Sequence, residues 1–204
     1  MQGGTDEQDR EDMLRLAAGH DGGLSALMNR HGERLFHYLL RQLNNETEAA
    51  DLAQESFVRV YQNAGRFRPD QRFSTWLYTI ARNQCVDLSR RMKLRRMASL
   101  DQACDTGDGR EGATLLDVVA DGGAAPDRQT SDSELQGRLK SAIGELSEEQ
   151  REVFLMREFL SMQFKEIAEV TGVPENTVKS RMRYALEKLR DLLEDYRELA
   201  RAAP

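Results

Sequence analysis

Cysteine, histidine, proline and aromatic side chains are all scarce in this chain, and each shortage removes a class of function. Of 204 residues, two are Cys, three are His, four are Pro, and 6% are aromatic. Cys85 sits in a helical pattern and Cys104 in a Gly/Asp-rich stretch. Two such thiols form neither a disulfide framework nor a zinc-ligand spacing, and read as ordinary reduced cysteines. His20, His31 and His37 are accompanied by no nucleophile, phosphate loop or metal-ligand cluster, so no enzyme activity, metal or cofactor is expected. No apolar run approaches the roughly 20 residues that span a bilayer. The opening MQGGTDEQDREDM is acidic where a secretory leader would be basic and then apolar. A cytoplasmic protein without membrane insertion is expected.

Charge is present in quantity but unevenly placed. The formal net charge is -6, with 31% charged residues. Yet residues 82–96 hold six Arg/Lys against the single acid Asp87, and residues 177–190 hold five against Glu187. Between them, residues 98–134 carry nine Asp/Glu and two Arg, with five Gly, one Pro and no aromatic. That composition buries too little apolar surface to offset its ordering entropy. The reading is an acidic flexible linker over 98–134, in which only LLDVV, residues 115–119, is apolar enough to dock. It separates a domain over 1–97 from one over 135–204. Its 37 residues stretch at most about 125 Å and average roughly 35 Å as a coil, enough to cover a turn of duplex DNA.

Both flanking regions read as helices, because apolar residues recur at three and four and cap signals precede the runs. Residues 24–43 place Leu24, Leu27, Met28, His31, Leu35, and Tyr38 or Leu39 inward. In NETEAADLAQESFVRVYQNAGRF, Asn45 and Glu48 have capping-box spacing. Ala50, Ala53, Phe57, Val60, Tyr61 and Ala64 make the apolar face there, opposite Asp51, Gln54, Glu55, Arg59 and Gln62. Ser74 caps a helix with the stripe Leu77, Ala81, Cys85, Leu88 and Met92. Past the linker, Ser147 and Gln150 form a second capping pair, with Val153, Phe154, Met156 and Arg157 starting a new core.

The sharpest signal is FKEIAEVTGVPENTVKSRMRYALEKLRDLL. A helix-turn-helix needs a small residue where its helices touch, a turn residue tolerant of positive φ, and apolar wedges. Ala168, Gly172, Val173 and Val178 supply these, and Pro174 suits the opening turn of the second helix. Met182, Ala185, Leu186, Leu189, Leu192 and Leu193 cluster with Val178 on one face of that helix. The opposite arc carries Asn176, Lys179, Ser180 and Arg183, flanked by Thr177, Arg181 and Tyr184. In a major groove, Arg or Lys bonds guanine and Asn bonds adenine, while Lys, Ser and flanking Arg also suit phosphates. A helical hairpin with a merely solvated basic face is the competing reading.

The first basic patch is less specific, since Arg-rich helix ends often only face solvent. Its aromatic entry is more informative: Phe67, Phe73, Trp76 and Tyr78 beside Arg66, Arg68 and Arg72 are the mix of stacking surfaces and cations that holds unpaired bases. Packing of Phe73 and Trp76 between helices fits equally.

These two motifs together resemble the extracytoplasmic-function (ECF) branch of the bacterial sigma-70 family. The family's region 2 is similar to DLAQESFVRVY followed by FSTWLYTIARNQCVDLSRR, and its region 4 to LSEEQREVFLMREFLSMQFKEIAEVTGVPENTVKSRMRYALEKL. The resemblance implies an all-α fold: a region 2 helical bundle and a region 4 helix-turn-helix joined by a flexible linker. It implies a non-enzymatic subunit that joins core RNA polymerase and recognises promoter DNA at two elements. By position, Asp51, Gln54 and Glu55 match the docking surface for a coiled coil of the polymerase's largest subunit. Arg66, Phe67, Phe73, Trp76, Asn83, Arg90 and Arg91 match the reader of the minus-10 element, where a base is flipped out and held, and the support of that contact. Asn176, Thr177, Lys179, Ser180, Arg181, Arg183 and Tyr184 match the minus-35 reader. Here Tyr184 stands in the family's usual Arg slot and Arg183 one place earlier, a departure from the family's pattern at the positions that would set the preferred bases. The linker resembles one that threads the polymerase interior, and members of this branch are commonly held by an anti-sigma factor. Two rival classes remain: a decoy that binds only an anti-sigma factor, which this basic arc disfavours, and a one-component repressor, which lacks a ligand domain here.

Overall fold

The computed structural model describes the backbone of residues 3–103 and 129–194 and the side chains of 5–95 and 137–194. Among the described residues all regular structure is helical. In chain order the helices are α1 (Gly3–Ala17), α2 (Gly22–Leu43), α3 (Glu46–Gln62), α4 (Phe73–Ala103), α5 (Gln129–Gly144), α6 (Glu148–Phe154), α7 (Phe164–Thr171) and α8 (Glu175–Leu192). A 3₁₀ turn, Ala64–Arg66, follows α3, and a π-turn, Leu155–Phe159, extends α6.

Local chemistry sets the helix ends. The Asn45 side chain accepts from the Glu48 amide at 3.1 Å, and α2 stops where Asn44 turns left-handed at φ 53°. Ser147 and Gln150 close a reciprocal capping box on α6. Gly172 ends α7 at φ 70°, its amide bonded to the Ala168 carbonyl, the left-handed stop that glycine adopts without steric cost. The π-turn closes through the Leu160 amide and the Leu155 carbonyl at 3.1 Å.

One apolar core runs through both halves: Leu27, Leu35, Tyr38, Leu39, Phe57, Val60, Leu77 and Ala81 continue into Val153, Met156, Ile167 and Val178. Helix α4 packs along α7, and α2 against the π-turn. A smaller cluster of Ala142, Leu146, Ala185 and Leu189 joins α5 to α8.

Several expected details differ. Residues 3–17 form a helix that periodicity did not announce, with Met13 and Leu16 buried against α2. On α3, Phe57, Val60 and Ala64 are buried as expected, but Ala49 is buried in place of Ala50 and Tyr61 faces outward; Ser56 also faces inward and satisfies its hydroxyl on the Leu52 carbonyl. Helix α4 begins at Phe73, so Ser74 lies within it. Met28, Met92, Leu186 and Leu192 are exposed, since the neighbouring helices cover a narrower sector than the apolar residues occupy. The ends of the expected linker are helical, as α4 runs to Ala103 and α5 starts at Gln129. Residues 115–119 and Cys104 lie outside the described residues.

Candidate nucleic-acid interface

The second helix of the helix-turn-helix is held by Val178, Met182, Ala185 and Leu189, all buried. Anchoring one face fixes what the other presents. Asn176, Lys179, Ser180, Arg183 and Tyr184 are exposed, and Thr177 and Arg181 are half-buried. The expected arc is thus one surface, although Arg181 turns from its centre toward Glu149, whose carboxyl is lowered first by hydrogen bonds from the backbone and Ser147 and then by that charge, and toward Glu152, where it opposes the rise that burial imposes. Two of the arc's cations have local partners. Lys179 pairs with Glu175 at 2.7 Å, Arg183 approaches Glu187 at 3.9 Å, and the Arg183 guanidinium lies 4.8 Å from the Tyr184 ring centre. Exposed i,i+4 pairs contribute only a few tenths of a kcal/mol, so they yield readily to a phosphate or a base edge.

The first patch divides into a supporting part and an accessible part. Phe73 is 2% exposed, its ring 5.1 Å from His31 and 6.4 Å from both Phe67 and Trp76. In this arrangement Phe73 is the base of an aromatic cluster, with the half-buried Phe67 and Trp76 above it, 5.4 Å apart. Arg66, Asn83, Arg90 and Arg91 are exposed. Arg90 lies 3.9 Å from Asp87, and Arg66 and Arg91 make no ion pair among the described residues. The arrangement suits phosphate contacts beside a stacking surface.

On α3, Asp51, Gln54 and Glu55 are exposed together, Glu55 bonded to Arg59 at 3.0 Å. Val58 and Tyr61 continue that exposed face.

Sequence reasoning missed a set of charges that join the two halves. Arg82 of α4 donates to Glu152 of α6 at 2.8 Å, and Arg72 donates to Glu166 of α7 at 2.5 Å while its other nitrogen meets Asp6 of α1 at 2.7 Å. Burial pushes the Glu152 carboxyl above the usual carboxylate range, more than Arg82 pulls it down. Arg34 donates to the Phe159 carbonyl at 2.9 Å, and Arg41 lies 4.2 Å over the Phe159 ring. A second missed network anchors α1: Arg30 bonds Asp9 at 2.9 Å and Asp12 at 2.6 Å, and His31 bonds Asp9 at 2.8 Å. Only the alternation of acids at Asp6, Asp9 and Asp12, one helical turn apart, signals it in the sequence.

A helical bundle joined to a helix-turn-helix, each with a basic surface, defines a two-module nucleic-acid-binding protein. Comparison with known families is specific. Sigma-70 region 2 matches residues 27–95, and Sigma-70, region 4 matches residues 136–189. The ECF RNA polymerase sigma factor SigW of Bacillus subtilis is 30% identical over 89% of this chain and 94% of its own length. The RNA polymerase sigma factor CarQ of Myxococcus xanthus is 31% identical over 89% of this chain and 95% of its own. Among solved structures, CnrH in complex with the cytosolic domain of CnrY superposes with a TM-score of 0.66 at 24% identity, over 92% of this chain and 98% of that one. The chain therefore belongs to the ECF branch of the sigma-70 family. As a member it is an RNA polymerase sigma factor and not an enzyme.

Proposed function

We propose that this sigma factor divides its task among three surfaces and works in the cytoplasm, within domains over 1–97 and 135–204 and a linker over 98–134. Asp51, Gln54 and Glu55 dock on the coiled coil of the polymerase's largest subunit, where carboxylates suit a basic helix. Arg66, Phe67, Trp76, Asn83, Arg90 and Arg91, supported by Phe73, hold the opened minus-10 element. Taking a base from the stack costs a few kcal/mol, which stacking and phosphate contacts offset. Asn176, Thr177, Lys179, Ser180, Arg183 and Tyr184, with Arg181 at the edge, read the minus-35 element.

The observation that carries this reading is the anchored α8: four buried residues fix the helix while its polar arc stays exposed. CnrH is seen bound to the cytosolic domain of CnrY, and an anti-sigma factor covering the polymerase-binding surfaces is proposed here too. Run-off transcription with purified core polymerase on a library of promoters tests the whole reading. Selective initiation at a shared pair of sequence elements is expected, and initiation no more selective than with core enzyme alone would refute it.

A further inference from the structure

Helix α1 lies ahead of the residues that match region 2, yet it touches every element of the first reader. It packs on α2, on the 3₁₀ turn Ala64–Arg66 and on α4. Two of its acids end beside the aromatic cluster. Asp6 meets Arg72, the residue before Phe73, at 2.7 Å, and the Arg72 carbonyl accepts from the Trp76 amide at 3.2 Å, which sets the first turn of α4. Asp9 accepts from Nε2 of His31 at 2.8 Å, and the His31 ring lies 5.1 Å from the Phe73 ring, inclined by 59°.

We propose that His31, aimed by Asp9 of α1, is a positioning residue for the aromatic rings that hold the unpaired minus-10 bases. The inference rests on the assignment of Phe67 and Trp76, supported by Phe73, to that strand. A carboxylate oxygen only accepts, so Nε2 of His31 carries the proton in the bond to Asp9. That bond fixes the tautomer and the plane of the imidazole, as a carboxylate does wherever it orients a histidine. The carboxylate is itself held: the Asp9 side chain is 2% exposed, and its other oxygen accepts from Nε of Arg30 at 2.9 Å. Phe73 needs such a neighbour. It is the first residue of α4 and follows the exposed residues Arg68, Pro69 and Asp70, so no preceding helical turn restrains its ring. The rings that do so are His31, Phe67 and Trp76. A stacking surface binds a base well only when its plane is set in advance, since ordering the side chains on contact is subtracted from affinity. The path from Asp9 through His31 and Phe73 to Trp76 therefore carries order from a buried carboxylate to the half-buried rings above it. Anchoring α1 alone would be served by any donor to Asp9, whereas support of Phe73 uses the flat ring as well.

That difference is the test. The full-length chain is reconstituted with core polymerase and titrated on a labelled single strand, the non-template minus-10 sequence of a promoter selected by run-off transcription. His31→Gln keeps a donor for Asp9 and removes the ring. It should weaken capture of the strand about five- to tenfold, less than removal of a stacking ring itself would. Affinity for core polymerase, and for a duplex carrying the minus-35 element, should stay within about twofold of wild type, because neither contact involves the cluster. His31→Phe returns a flat ring without the donor and should recover part of the lost strand affinity. If His31→Gln lacks wild-type helicity by circular dichroism, His31→Phe is compared with His31→Met, which fills similar volume without a ring, and the Phe variant should hold the strand more tightly. Strand affinity unchanged in His31→Gln, or equal in the Phe and Met variants, would overturn the inference and leave His31 as an anchor of α1. Binding of a scrambled strand separates the two readings. If wild type prefers the minus-10 strand and the ring makes no difference, only the role of His31 falls; if wild type shows no preference, the strand-holding assignment falls and the inference with it.

Discussion

At the residue scale the charges that join the two halves set the chemistry of their neighbours. Cys85 lies beside Glu152, Glu148 and Arg82, and its thiol is pushed up to about 12, first by burial and then by the two carboxylates. The sign is fixed by linkage: a thiol whose folded pKa exceeds its unfolded value near 9.0 adds stability below that pH and loses it as pH rises toward 12. In a Cys104→Ser background, urea midpoints should therefore fall between pH 8.5 and 10.5, and Cys85→Ala should flatten that fall. An equal fall in both would assign the pH dependence elsewhere. The same burial makes Cys85 slow to alkylate at neutral pH, since only the thiolate attacks. Arg183 is the residue on which promoter specificity is most directly testable. Its pairing with Glu187 is long and exposed, so Arg183→Ala should cost roughly 1–3 kcal/mol at one base position if it reads an edge. A uniform loss across all promoter sequences would make it a phosphate clamp.

At the element scale, α1 depends on a close approach that only glycine permits. A Cβ at Gly23 would collide with the Asp12 carbonyl oxygen of α1, a backbone atom with no room to give. Gly23→Ala should lift α1 from α2 and destabilise by about 1–3 kcal/mol, read by urea denaturation. Amide exchange should show the loss concentrated in residues 6–17, and uniform exchange across α2 and α3 would refute a local effect. Gly172→Ala forces a side chain into the left-handed turn and should cost about 1–2 kcal/mol. These elements also show how far the sequence could be read. The helix-turn-helix was legible because its Ala168, Gly172 and Val178 signals are local, and the capping pairs at Asn45 and Ser147 because each needs only neighbours three residues away. Helix α1 was not, because its inward face carries Asp9 and Asp12, which are buried only through Arg30 and His31 some twenty residues on. A polar residue satisfied by a distant partner looks solvent-facing in one dimension. The α3 stripe slipped at Ala49 for a related reason: Ser56 is buried on its own helix's carbonyl and hides the true face.

At the scale of the whole molecule, which residues share a surface depends on how the halves meet, and periodicity carries no information about that. The arcs on α3 and α8 were legible because each belongs to one helix, whereas Arg72 and Arg82 acquire their partners from α1, α6 and α7. Asp51, Gln54 and Glu55 are exposed together, and α3 packs chiefly on α2, α4 and the 3₁₀ turn. The proposed docking face is therefore open to a partner in this structure. Asp51→Arg, which reverses a charge of the proposed docking face, should weaken association with core polymerase at least tenfold, about 1.4 kcal/mol. Glu152→Lys should leave that affinity within about twofold, because Glu152 is buried on α6 against Arg82 and not on the exposed face of α3. Titration of labelled protein with core enzyme measures both. If Asp51→Arg bound core enzyme as tightly as wild type does, the docking role proposed for that face of α3 would be refuted.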